Sequence, residues 1–114
     1  MSAIDPNIAQ QLAADLPREV FVGVVRTFEA DLGRLAQSMV DAVKAQDLDA
    51  YRRCAHGLAG AAGAIGARKL EAMARQAMSI QGEPSASEVL LLGQEAKAAL
   101  GELLLLLSGQ PSVA

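Results

Sequence analysis

The amino-acid sequence predicts an all-α fold: an antiparallel up-down four-helix bundle with a short additional N-terminal helix. Three observations carry this. Ala and Leu, both strong helix formers, dominate the composition. Apolar residues recur at three- and four-residue steps over long stretches, and no run alternates as a half-buried strand would. Pro and clustered small polar residues are few and fall between those stretches. At 114 residues the chain can bury one modest core and is too short for two. A single domain over residues 1–114 is therefore expected, with the bundle over about residues 17–108.

The elements follow in order. Asp5-Pro6 can open a short helix over about residues 6–15, because Pro suits the first helical turn. Pro17 restarts the helix. Phe21, Val24, Val25, Phe28, Leu32, Leu35, Met39 and Val43 then fall on one face of a helix reaching about Gln46. At about 1.5 Å per residue this helix is roughly 45 Å long, and Gly23 and Gly33 inside it permit a bend. Asp47 has the character of an N-cap. Tyr51, Ala55, Leu58, Ala62 and Ile65 form a second stripe, spaced as the seam of a helix in an antiparallel bundle. The segment GAIGA interrupts it. A further helix from Arg68 to about Ile80 carries Leu70, Met73, Ala74, Ala77 and Met78 inward. The run QGEPSAS reads as a loop, and Ser85 or Ser87 caps the last helix. That helix ends near Ser108-Gly109, and Gln110–Ala114 is expected to fray.

Composition excludes several function classes. A net charge of −3 with no basic run argues against nucleic acid, whose binding needs a basic surface. Aromatics at 3% and no Trp leave no base-stacking platform. The single cysteine, Cys54, cannot form an intramolecular disulfide and fits a reducing compartment. The first residues lack a basic and then apolar leader pattern, so no signal peptide is read. Leu103–Leu107 falls far short of the roughly 18 apolar residues of a spanning helix, so no membrane contact is expected. The resulting expectation is a cytoplasmic location.

The chemistry points to one helix. With about 100° per residue, the seam of the third segment centres on Tyr51, Leu58 and Ala62, and the only histidine, His56, lies roughly 140° away. Gly60 is nearly opposite the seam, and Arg52, Arg53, Asp49 and Gly63 share the outward side. His56 is thus an exposed group, either a solvated surface histidine or a reactive one. Gly57, Gly60, Gly63 and Gly66 stand in a helix otherwise rich in Ala, where each interior Gly costs about 0.8–1 kcal/mol. Close helix packing accounts for Gly57, and a helix end for Gly66. Neither suits Gly60, which faces away from the seam one turn after His56. Removing its side chain leaves the imidazole clear for another protein's backbone. Metal binding fails on inventory, with one His and one Cys. Neither a GxSxG turn nor a phosphate-cradling GxxxxGK[ST] is present.

The run AHGLAGAAGAIGARKLEAMA, from Ala55 to Ala74, resembles the histidine phosphotransfer (HPt) domains of multistep two-component phosphorelays. The likeness rests on His56, Leu58, Gly60, Ala61, Ala62 and the turn Ile65-Gly66-Ala67. The preceding DLDAYRRCA is similar to the family's helix lead-in, and the helix order covers essentially the whole chain. The resemblance implies that His56 accepts a phosphoryl group through its outer nitrogen, Nε2. It implies docking of a partner over Gly60, Gly63, Ala59, Arg53 and Arg52. It implies response-regulator receiver domains, a hybrid histidine kinase, or both as partners, and a phosphocarrier rather than an enzyme. No cofactor is expected on this chain, and Mg²⁺ is expected in the receiver. The family has Lys three residues after the His, where this chain has Ala59. Arg53 or Arg52 could supply that charge, or both could be solvated surface arginines.

Two rival functions stand beside this reading: an HPt-like adaptor that carries no phosphate, and a plain helical protein-interaction module. A hydrolase ranks below both for want of an acid/base set. The chain is expected to be a monomer. A dimer is the alternative, because Leu90, Leu91, Leu104, Leu105 and Leu106 exceed the inner stripe of the last helix, which is Val89, Leu92, Ala96, Ala99, Leu103 and Leu107. Those leucines could instead pack under the N-terminal helix.

Overall fold

Five helices follow from these signals in the computed structural model, which describes residues 3–109. Among the described residues there is no strand. The fraying expected of Gln110–Ala114 lies outside them. Helix α1 (Pro6–Asp15) starts as anticipated, with Pro6 in its first turn and the Asp5 carboxylate accepting from the Asn7 backbone N–H at 2.9 Å. Helix α2 (Arg18–Ala45) runs through Gly23 and Gly33 as one assigned helix. It stops at Gln46, whose left-handed backbone (φ 54°) turns its N–H back onto the last carbonyls.

Asp47 caps α3 (Leu48–Ala64) by accepting from the Ala50 N–H at 3.0 Å. Helix α4 (Arg68–Met78) is two residues shorter than its expected end at Ile80. The choice between two serine caps resolves to Ser85, whose Oγ accepts from the Glu88 N–H at 3.3 Å and opens α5 (Ala86–Gly109).

Helices α2 to α5 form the square of an up-down bundle in which each packs on its chain neighbour and α5 closes back on α2. The Arg18 guanidinium at the start of α2 reaches the Leu107 carbonyl at the end of α5, which makes that closing pair antiparallel. The core is the set of stripes read from the sequence. Phe21, Val25, Phe28, Leu35 and Met39 meet Tyr51, Ala55, Leu58 and Ala62, with Leu70 and Ala74 from α4 and Leu92, Ala96, Ala99 and Leu103 from α5. Tyr51 is fully buried and donates its hydroxyl to the Glu88 carboxylate at 3.2 Å, tying α3 to α5 across the square. Burial first, and the Glu88 charge second, push that hydroxyl up to about 12, so the phenol keeps its proton and its bond.

The N-terminal segment closes one end of the bundle. Ile4 is buried, the Ala3 and Ile4 N–H groups donate to the Glu102 carboxylate, and the Asp5 N–H donates to the Gly66 carbonyl at 2.8 Å. Helix α1 then lies on α2 and α5. Of the surplus leucines, Leu106 is partly buried against the core, while Leu104 and Leu105 stay exposed, as do Leu90 and Leu91. These are two pairs about 20 Å apart along α5 rather than one contiguous patch.

Gly66 holds the turn between α3 and α4 at φ +76°, and a Cβ there would stand 2.8 Å from the Ile8 Cβ. Gly66→Ala should therefore cost about 1–3 kcal/mol through backbone strain alone. A thermal melt is expected to show Tm lower by about 5 °C or more. An unchanged Tm would mean that residue 66 does not hold the left-handed turn between α3 and α4.

Candidate functional site

Three sides of α3 are taken up by neighbours. Tyr51, Ala55, Leu58 and Ala62 point into the core and are buried. The α2 side is close: a Cβ added at Gly57 would lie 3.2 Å from a Leu35 methyl. The α4 side is equally close, and two contacts mark it. A Cβ at Gly63 would lie 3.0 Å from the Glu71 carboxylate, and the Arg52 guanidinium donates to the Ile80 carbonyl through Nε at 2.9 Å, with Nη2 on the same oxygen. Gly57 and Gly63 thus owe their missing side chains to packing partners on opposite flanks.

What remains open is a narrow sector. His56, Gly60, Arg53 and Asp49 are all exposed. The His56 imidazole makes no hydrogen bond or ion pair among the described residues. A Cβ at Gly60 would meet nothing within 4 Å. Space in the fold does not require glycine at 60, and neither does its backbone, which is ordinary helix. The glycine leaves the surface bare beside the imidazole.

Two residues placed on this face by the sequence belong elsewhere. Ala59 is buried, 3% exposed, inside the core cluster. On the wheel it lies only about 20° from Arg52, the residue that reaches α4, so α4 covers it. It cannot touch a partner. Arg52 is half-buried and spends its guanidinium on the Ile80 carbonyl just past α4. Gly63 keeps its place beside the strip, but under Glu71 rather than in the open. Arg53 and Gly60 lie where the wheel put them.

The structure adds an ion cluster that the sequence did not announce. Glu71 accepts from Arg75 at 2.8 Å and pairs with Arg68 at 3.6 Å, and Arg68 also reaches Asp5 at 3.6 Å. Hydrogen bonding from Arg75 holds the Glu71 carboxyl below the usual range, against a smaller opposing push from desolvation. The spacing of Glu71 and Arg75 was visible as an i, i+4 pair. Its position over Gly63 depends on the α3–α4 packing and left no sequence signal.

Chemically, the sector offers one accessible nucleophile and no general acid or base bonded to it. Among the described residues no cluster of three His, Cys, Asp or Glu side chains could hold a metal ion. Among them, too, no helix is long and apolar enough to cross a membrane.

The family model described as the Hpt domain matches residues 23–108. The match spans nearly all of α2 to α5, including His56 and its strip, and leaves α1 outside. No curated protein and no solved structure matches the chain.

Gly60 and Gly63 should respond differently to a methyl group. Gly60→Ala has open space and is expected to stabilise the fold by up to about 1 kcal/mol. Gly63→Ala gains the same helix propensity but must shift the Glu71 carboxylate by a few tenths of an ångström, so its gain should be smaller. Paired thermal melts check this. A destabilised Gly60→Ala would show that position 60 is packed rather than open.

Proposed function

This chain belongs to the Hpt domain family, and from that premise we propose that His56 accepts a phosphoryl group from the phosphoaspartate of a receiver domain and passes it to another receiver in a two-component phosphorelay. The observation that carries the proposal is the unpartnered, exposed imidazole standing one turn before a glycine whose added Cβ would meet nothing.

Transfer onto a histidine needs in-line approach and reacting atoms within roughly 3–3.5 Å. The lone pair of Nε2 attacks phosphorus on the face opposite the aspartyl oxygen. An N–P bond forms as the O–P bond breaks, the electron pair leaves with the partner's carboxylate, and the ring proton on Nδ1 can pass to solvent. The reverse sequence loads the next receiver. A bare strip at Gly60 lets the rim of the partner's site come down beside the ring. Mg²⁺ neutralises charge in most phosphoryl transfers. On this face the carboxylates are Asp49 and Glu71, the latter already paired with two arginines, which supports the reading that the receiver brings the metal. The chain then acts as a carrier, with most of the catalytic machinery on its partner, and is taken as a cytoplasmic monomer.

An adaptor that binds receivers without carrying phosphate is the competing reading, and the burial of an alanine at position 59 favours it to the extent that a cation there matters. Two substitutions separate the readings. His56→Gln should leave the circular dichroism spectrum and Tm of the bundle unchanged and abolish labelling by a phosphorylated receiver. Gly60→Gln should also fold normally, because Gln is a good helix former on an exposed face. Its side chain would stand at i+4 from His56 and hold the partner off, and a misplacement of about 1 Å can cost roughly a hundredfold. Transfer to this variant should fall at least roughly tenfold. Full labelling of His56→Gln would remove His56 from the mechanism. A Gly60→Gln variant that transfers normally would remove the docking strip.

A further inference from the structure

A phosphoryl group on His56 is a dianion or close to it, and a solvated helix face without a cation would carry it at a cost. Helix α3 has two arginines within one turn of His56, at three and four residues before it. Side chains on a helix lean toward its N-terminus, so the imidazole lies over the turn that holds both. The structure divides them. Arg52 is half-buried and its guanidinium is bound through two nitrogens to the Ile80 carbonyl. Arg53 is exposed, and its guanidinium makes no hydrogen bond or ion pair among the described residues. That includes Asp49, one turn earlier and well placed by spacing to take it. The other cations that adjoin this face from α4 are engaged: Arg75 with Glu71, and Arg68 with Glu71 and Asp5. Position 59, one turn on the other side, is a buried alanine.

Resting on the proposed function, we infer that Arg53 is the residue of this chain that pairs with the phosphoryl group on His56, while Arg52 is a structural clamp on the end of α4. Arg53 is free in the resting state because its partner is the group that arrives with the relay. It folds over the phosphoryl oxygens when His56 is loaded and is released when the group leaves. The arrangement makes adjacent, chemically identical residues separable: one holds the bundle, the other holds the cargo.

The test compares Arg53→Gln, Arg53→Lys and Arg52→Gln in the full chain. Each is loaded with phosphoramidate, a small donor that phosphorylates exposed imidazole, and the phosphoryl group is titrated by phosphorus NMR. Each is also assayed for transfer from a phosphorylated receiver. Arg53→Gln should keep the wild-type Tm, raise the titration midpoint of the phosphoryl group, and slow transfer about two- to fivefold at low salt, the size of effect an exposed charge pair supports. The difference should vanish near about 1 M salt, where the screening length is about 3 Å. Arg53→Lys should retain much of the effect. Arg52→Gln should lower Tm and leave the titration midpoint at the wild-type value. A wild-type midpoint and a wild-type rate in Arg53→Gln would overturn the inference while leaving the function intact. A wild-type chain that takes no label from a phosphorylated receiver would fail the function itself, and the inference with it.

Discussion

Helix α3 must pack closely against α2 and α4 at once while burying Tyr51, Leu58 and Ala62 between them. The small residues along it answer that demand. Gly57 lets Leu35 approach from α2, Gly63 lets the Glu71 carboxylate lie across from α4, and Ala59 fills the seam between. With three sides occupied, the remaining sector is narrow, and His56 and Gly60 stand in it. The site is therefore a by-product of packing on every side but one. Gly60 is the exception, because nothing among the described residues asks for it.

The charges follow the same division. Around the α3–α4 turn, Arg68, Arg75, Glu71 and Asp5 neutralise one another, and Arg52 caps a carbonyl at the far end of α4. Such surface pairs contribute little to stability individually. Their consequence is local: among the described residues they leave the open sector with one uncommitted cation, Arg53, and one uncommitted imidazole. The N-terminal segment takes no part in this sector. Through Ile4, Asp5 and the Glu102 carboxylate it seals the bundle end where α3 turns into α4. The family match begins only at residue 23, after α1.

Much of this was legible in the residues. Three-four spacing located every inner stripe, and Asp5, Asp47 and Ser85 act as caps because short polar side chains before apolar periodic runs can reach the free N–H groups. Ala59 was put on the docking face by the family resemblance, and a wheel could not have corrected it. A wheel gives the angle of a residue from the seam but not how many helices surround it, and a helix flanked on both sides buries a wider arc than its stripe suggests. Arg52 was misplaced because its target, the Ile80 carbonyl, is 28 residues away and comes within reach only through the turn at Gly66. Glu71 over Gly63 was invisible for the same reason. The exposure of His56 and the openness at Gly60 were readable because they depend on one helix alone.

Loading the wild-type chain from a phosphorylated receiver and mapping the label chemically is the most direct examination of His56 as the carrier. About one phosphate per chain is expected, on the peptide that contains His56, lost in acid and stable in alkali as an N–P bond requires. A label on a hydroxyl or carboxyl residue, or a chain that binds the receiver and carries no phosphate, would contradict it.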